Sequence, residues 1–348
     1  MSNKYYSCEY LLTLKDINGK RPEIYLVDGN RTAGKSVSFK KKVVDTFFKA
    51  KSEINQFLYI FRHKTDMQNV SEMFFGDIGR IFYREHIMTE KKLFEGKVIQ
   101  LLLDDEPCGY AVPLSMSSKI KSASAIFTRV KHGFFDEYQA EDDQYLNNEI
   151  NKFMSLHTTV ARGDGEQVRY VPFYMASNTV SMLNPYYHAF GINKRLQHNT
   201  KFLKGDGWVF ERTHNESASK AFQESAFNRA FQHSAYFKYA SENVYLNDNM
   251  ALIEKPKGTS RYLLTIKYNN QMFNVREYDT CVYISHGCDE TFRHRYCFQH
   301  VDVTGDGTIM VNRNDFMIDY LRRIFRQGYL RFDSLESKNM TLDMISFY

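Results

Sequence analysis

The sequence predicts an α/β protein. A P-loop nucleotide-binding domain of the additional-strand, catalytic-glutamate class, on a mostly parallel sheet, is followed by a polar and helical stretch and then a separate α+β unit. Three observations carry that prediction. Up to about Asn178, short apolar runs alternate with helical patterns, as in parallel strands joined by helices. Gly29-Asn30-Arg31-Thr32-Ala33-Gly34-Lys35-Ser36 fits G-x-x-x-x-G-K-[ST] at every fixed position. Beyond Lys255–Ser260 the pattern changes to three consecutive apolar strands and an amphipathic helix.

The chain has 348 residues, too many for one small core. The expected divisions are 1–200 for the P-loop domain, 201–250 for the lid or linker and 251–348 for the last unit. Aromatic residues make up 15%, enough for large cores with rings left over for surfaces. The net charge of +5 permits an anionic partner without requiring one. Five scattered cysteines imply no disulfide framework and fit a reducing compartment. The N-terminus lacks a signal-peptide pattern, and no run reaches the roughly 20 apolar residues of a membrane span. The expectation is therefore a chain that is neither secreted nor inserted in a membrane.

In order, Glu23–Asp28 reads as a short buried strand. Val37–Lys51 reads as a helix with Val43, Val44, Phe47 and Phe48 on one face. Gln56–Arg62 is a second strand, and the pattern from Met67 to Tyr83 is helical. "KVIQLLLD" and "YAVPLS" read as strands around a "DEPCG" turn. "RVKHGFFDE" and "QVRYVPFYMAS" are two further strands. After Pro185 the chain is more polar, with a Gly-Asp-Gly turn, and Ser217–Glu242 reads as helical. "RYLLTIKYNNQMFNVREYDTCVYIS" predicts three antiparallel strands with an Asn-Asn turn, and Asn314–Gly328 an amphipathic helix.

Each position of the glycine-rich motif has a reason. Glycines let the backbone wrap so that its N–H groups face phosphate oxygens. The helix after it presents its positive end to the same place. Lys35 is placed to reach the β- and γ-phosphates of ATP, and the Ser36 hydroxyl to ligate Mg2+. A second metal-holding element is needed on a neighbouring strand, and "GFFDE" supplies it. Asp136 at the strand end can hold magnesium through water, and Glu137 can polarise the attacking water. Asp104–Pro107 is the rival acidic pair, but its Pro and Gly neighbours make it a hairpin turn.

Asn178 ends another apolar run, where it either contacts the γ-phosphate or attacking water, or closes a turn. Arg162 and Arg169 lie in a loop-rich stretch beside Gly-Asp-Gly. Each is either a solvated arginine or a donor that enters a neighbouring subunit's site and neutralises transition-state charge. Arg31, inside the phosphate loop, is a rival donor within its own subunit.

With these residues in view, the chain resembles the phi-29-type encapsidation proteins, the genome-packaging ATPases of small short-tailed phages, which are related to large terminases and hexameric DNA pumps. The resemblance runs through "GNRTAGKS", "YIFRHKTDM", "FFDEYQAED", "SNTVSMLNPYYHAFGI" and "IEKPKGTSRYLLTIKY", in that order. It implies an N-terminal ATPase, a lid region and a C-terminal domain of RNase H-like fold. It also implies a homo-oligomeric ring, a pentamer, on the portal or connector of an empty procapsid in the host cytoplasm, where hydrolysis drives double-stranded DNA inward. Whether a scaffold RNA joins the complex is left open. By position, Lys64 matches a residue facing the DNA channel, with Arg62 beside it as a helper. Such contacts to phosphate are sequence-independent and salt-sensitive. By the same matching, Arg162 is the first choice for the trans-acting finger and Arg169 the second. Two rivals stand beside this reading: a terminase-like enzyme whose last domain cuts DNA, and a nucleotide-gated assembly factor that does not translocate.

A two-metal nuclease needs converging carboxylates, one at the centre of the first strand. Tyr262–Asn270 has none, and Lys267 opposes metal binding; Asp279, Asp289 and Asp302 remain. The expectation is an inactive nuclease fold used for docking, with Arg293, His294, Arg295, Arg322, Arg323 and Arg326 available to nucleic acid or an acidic portal surface, the last three being equally well explained as a solvated helix face. Asp302–Arg313 imitates a calcium loop, but Arg313 stands where a bidentate Glu is required, so a Gly-Asp-Gly turn is expected. Cys281, His286, Cys288, His294, Cys297 and His300 are crowded without zinc-ligand spacing.

Overall fold

The computed structural model describes residues 5–50, 55–142, 144–163, 165, 167–196, 200–242, 252–305, 307–312 and 314–346. Two units emerge. The first is Met1–Val180 with Leu196–Leu246, and the second is Ser181–Arg195 with Asn247–Tyr348.

The first unit is built on a sheet of β1 (Ile24–Gly29), β2 (Gln56–Phe61), β3 (Met88–Leu93), β4 (Val98–Leu103), β5 (Glu106–Pro113), β6 (Val130–Asp136), β7 (Phe173–Asn178), β8 (Phe202–Gly205) and β9 (Trp208–Thr213). Their order is β3-β4-β5-β2-β6-β7-β1-β9-β8. The six strands from β5 to β9 in that order run parallel, and β4, β3 and β8 are antiparallel additions at the two edges. β7 lies between β1 and β6, the additional-strand arrangement expected. Six parallel strands need both faces covered, so β2 is buried along its whole length.

The helices of this unit include α1 (Glu9–Thr13), α2 (Lys35–Lys49), α3 (Val70–Phe82) and α4 (Glu149–Val160). α2 begins at the last two residues of the glycine-rich motif. Its buried residues are Lys35, Phe39, Lys40, Val43 and Val44. The face therefore sits earlier on the helix than Phe47 and Phe48 suggested, and Phe48 is exposed. Phe39 stacks on Phe134 at 5.5 Å and on Tyr174 at 5.4 Å, which fixes α2 to β6 and β7. Burying such a ring is worth about 2 kcal/mol.

Three expectations need correction. The hairpin between β4 and β5 turns at Asp104 and Asp105, both in the left-handed region, and Glu106–Pro113 is strand. The stretch expected to begin a linker contains β9, whose apolar Trp208, Val209 and Phe210 are buried and which pairs with β1 along its length. The helix expected over Ser217–Glu242 is three pieces, α7 (Glu216–Glu224), α8 (Ala226–Arg229) and α9 (Ala235–Glu242), after α5 (Pro185–Phe190) and α6 (Ile192–Arg195).

The second unit has β10 (Leu252–Ile253), β11 (Arg261–Tyr268), β12 (Gln271–Glu277), β13 (Val282–His286), β14 (Arg295–Cys297), β15 (Thr308–Met310) and β16 (Leu330–Phe332), with α10 (Phe316–Arg326) and α11 (Leu335–Ile345). β11, β12 and β13 form the predicted antiparallel meander, turning at Asn269 and Asn270, both at positive φ. β14 adds parallel to β11, and β15 parallel to β14. In the full order β10-β16-β13-β12-β11-β14-β15, the run from β13 to β15 fits the RNase H-like expectation, and β16 and β10 extend it beside β13. Leu183, from the piece Ser181–Arg195, shares this unit's core with Leu264, Ile266, Phe273 and Leu342. No described helix is long and apolar enough to cross a membrane.

Candidate nucleotide site

The site forms at the carboxyl ends of β1, β6 and β7, where an open parallel sheet binds ligands. Register sets it: Gly29 lies opposite Asn178, and Asp136 opposite Ala176. Gly29 has no room for a side chain, since a Cβ there would come within 2.3 Å of the Thr213 carbonyl oxygen. Gly34 caps α2 at φ 91°, a conformation that disfavours any side chain. The loop between them brings the first N–H groups of α2 together, an anion-binding arrangement.

Lys35 is 6% exposed, and its Nζ donates to the carbonyls of Asn30 at 2.8 Å and Gly29 at 3.1 Å. Burial lowers its pKa to about 8, against the raising fields of Asp28 and Asp136. Nζ also lies 3.4 Å from Asn178 Oδ1, so Asn178 belongs to the site. Ser36 Oγ donates to Asp136 Oδ1 at 2.7 Å. Burial pushes the Asp136 carboxyl up, partly countered by Lys40, the Ser36 bond and Lys35. These two hard oxygen donors suit Mg2+, and Lys35 with the α2 N-terminus suits a polyphosphate. Mg-ATP therefore fits the residues present.

Glu137 lies just past the end of β6 at φ 55°, a strained backbone that sets its direction apart from the strand. Desolvation first, then Asp136 and Glu141, raise its carboxyl, while Arg31 and Arg62 lower it. A carboxyl of raised pKa beside Asp136 suits a general base.

The remaining loop residues are held by partners distant in sequence. Asn30 is buried; its Oδ1 accepts from Asn215 N at 2.9 Å, and its Nδ2 donates to Asn215 O at 3.1 Å. Asn215 in turn caps α7. Arg31 pairs with Glu141 and lies 5.4 Å from the Tyr236 ring. Thr32 is exposed at φ 58°, and Ala33 is buried, its carbonyl accepting from Tyr6 N at 2.8 Å.

Arg62, grouped with Lys64 as a DNA contact, is placed otherwise. Its side chain is 10% exposed and pairs with Glu149 at 3.2 Å. It also donates to the carbonyls of Glu137 at 3.3 Å and Tyr138 at 2.5 Å. It thus braces the turn that carries Glu137. Lys64 is exposed, its Nζ 3.3 Å from the Glu95 carbonyl.

The two candidate fingers separate. Arg169 is 6% exposed and donates to the carbonyls of Val130 at 3.0 Å, Phe127 at 3.0 Å and Val160 at 2.6 Å. It is a structural clamp and cannot project to a neighbour. Arg162 is exposed, at the rim of a surface pocket of about 330 Å³ with Lys121, Asn151 and Thr158.

In the second unit, Lys267 is buried on β11 and donates to Thr304 Oγ1 at 2.7 Å. Asp302 accepts the N–H groups of Asn269 and Asn270, both at 3.0 Å, and holds their turn. Asp289 pairs with Arg276 at 3.1 Å. Two positions of the calcium-like stretch, Asp306 and Arg313, lie outside the described residues. His286 lies between Asp333 at 3.0 Å and Glu336 at 3.1 Å, one carboxylate on each ring nitrogen.

Sequence reasoning misses Asp28, Gln139, Glu149 and Asn215. The one local signal is Asp28 itself, a carboxylate inside an apolar strand.

The model of the podovirus DNA encapsidation protein (Gp16) family matches residues 3–347. The DNA packaging protein of Bacillus phage phi29 is 27% identical over 323 residues, which cover 91% of this chain and 92% of that protein. Among solved structures, the Phi-28 gp11 DNA packaging motor matches with a TM-score of 0.60 at 18% identity, over 99% of this chain and 98% of that one. The bacteriophage Phi-29 viral genome packaging motor assembly matches with a TM-score of 0.58 at 23% identity, over 97% of each chain. These two share the fold.

Proposed function

The chain belongs to the podovirus DNA encapsidation protein family, and from that premise we propose that it is the ATPase of a viral packaging motor, hydrolysing ATP to move double-stranded DNA through the portal into an empty procapsid. The observation that carries this reading is the meeting of Lys35, Ser36, Asp136, Glu137 and Asn178 at three adjacent strand ends.

When bound, Mg-ATP supplies a γ-phosphoryl group open to in-line attack by water. Lys35 and the backbone from Gly29 to Ser36 hold the phosphates. Ser36 and Asp136 would hold the metal, which would neutralise charge on the phosphates. Glu137 accepts the proton of the attacking water, and Asn178 orients the γ-phosphate end. The working form is a homo-oligomeric ring, a pentamer at the portal vertex in the host cytoplasm, in which Arg162, exposed on the surface, serves a neighbouring subunit. Lys64 meets the DNA backbone. The helical pieces after β9, residues 215–242, act as the lid, because Asn215 and Tyr236 contact the phosphate loop. The second unit, with Lys267 where a nuclease needs a carboxylate, serves docking.

ATP hydrolysis stimulated by DNA or by procapsids, and loss of packaging in Lys35→Ala, test the reading. A nucleotide-gated assembly factor would instead hold its partner with a non-hydrolysable analogue and move no DNA. Plasmid nicking with Mn2+ would reveal an active nuclease.

A further inference from the structure

β6 and β7 stop pairing at Asp136 and Ala176, so pairing between these two strands does not hold Glu137 against Asn178, which is paired on the β1 side through Gly29. Yet Glu137 and Asn178 must face one phosphate together. Gln139, 2% exposed, bridges the two segments. Its N–H donates to Ser177 Oγ at 3.2 Å, and its Oε1 accepts the Val180 N–H at 3.1 Å. Ser177 and Val180 bracket Asn178. The Gln139 Nε2 donates to Asp28 Oδ2 at 2.9 Å. Asp28, 0% exposed, is the residue before Gly29 and also accepts from the Tyr138 hydroxyl at 3.2 Å.

One residue therefore ties the phosphate-loop strand, the Glu137 turn and the Asn178 segment. An amide side chain suits the place, because it must donate to a buried carboxylate and accept from a buried N–H at once. A carboxylate at 139 would face Asp28 across a bond that needs a donor.

We propose that Gln139 is a positioning residue for hydrolysis, fixing Asn178 and Glu137 relative to each other and to the phosphate loop. The proposal rests on the ATPase reading above.

The test uses the full chain in four forms: wild type, Gln139→Glu, Asp28→Asn and the double variant. ATP turnover, binding of ATP-γ-S and thermal midpoint are measured on each. Gln139→Glu is expected to lose about 100-fold in kcat, as misplacement of reacting groups does, with ATP-γ-S affinity little changed. The double variant exchanges the amide and the carboxylate, so that position 28 donates and position 139 accepts. It is expected to recover most of that loss. Gln139→Glu turnover within twofold of wild type, or no recovery in the double variant, overturns the assignment. Should Gln139→Glu fail to fold, Gln139→Met keeps the volume without adding charge and is read on the same turnover and affinity scales. A wild type that binds ATP-γ-S but hydrolyses no ATP instead refutes the ATPase reading itself.

Discussion

Ser36 Oγ donates to Asp136 Oδ1 at 2.7 Å, joining the start of α2 to the end of a strand two positions away from β1 in the sheet. The bond keeps the two oxygen donors that would hold a magnesium ion next to each other. Asp136→Asn is expected to cut ATP turnover by about 100-fold or more, while ADP binding without magnesium changes little. Because burial raises the Asp136 carboxyl pKa, the folded state holds its proton to higher pH than the unfolded state. Its ionisation therefore costs stability once pH rises above the unfolded value. Nucleotide-free Asp136→Asn should melt above wild type at neutral pH, and the gap should close as pH falls, measured by calorimetry.

Lys35 is held to a pKa of about 8 by burial, so near that pH it is partly neutral in nucleotide-free protein. Phosphate oxygens placed beside it favour the charged form. ATP binding between about pH 8 and 9 is therefore expected to take up a fraction of a proton, and affinity should fall as pH rises through that window. Titration calorimetry in buffers of different ionisation heats checks this. Binding heats independent of buffer would contradict it.

Arg62 and Lys64 are two residues apart and are expected to fail differently. Arg62→Ala removes the cation beside Glu149, whose side chain is 1% exposed. It should cost about 3 kcal/mol of stability, with slower hydrolysis. Arg62→Lys should recover some stability but not the paired carbonyl bonds. Lys64→Ala should lower the salt dependence of DNA binding by about 0.9 in log–log slope for each phosphate it no longer neutralises. Filter binding across a salt series separates the two.

Arg169→Ala removes the donors of three buried carbonyls and is expected to destabilise the fold by several kcal/mol, since each unmet group costs about 1–3 kcal/mol. Arg162→Ala should fold normally and lose coordinated hydrolysis. Mixing Lys35→Ala with Arg162→Ala subunits should restore ATPase if Arg162 acts on its neighbour. No recovery in any mixture would assign the finger elsewhere.

His132 is buried on β6, stacked on Tyr174 at 5.8 Å, and burial and Lys42 lower its pKa to about 4. The unfolded chain takes up this proton near pH 6.5, and the folded chain does not. Stability from this group is therefore full above pH 6.5 and is lost as pH falls toward 4, by roughly 3 kcal/mol. His132→Phe should flatten the acid limb of a denaturation series over that range.

The legible parts of this protein are those whose signals are local. Strands β1, β2 and β6 are apolar runs, and the phosphate loop is eight consecutive residues. β3, "MTEKKL", escapes a sequence reading because an exposed edge strand is mostly polar. β9 escapes it because a charged end, Glu211-Arg212, hides a short buried run. α4 starts after Asn148 without a side-chain cap or a proline, so nothing local announces it. In the site, Arg62 misleads because its partner Glu149 stands 87 positions away. Asn30 meets Asn215 across 185 positions, which no spacing rule reports.

The chain leaves the first unit at Val180, two residues after Asn178, contributes Ser181–Arg195 to the second, and returns. Lys194 pairs with Asp343 on α11 at 2.7 Å, and Leu183 enters that unit's core. A fragment cut at residue 251 would thus lack a piece of its own interior.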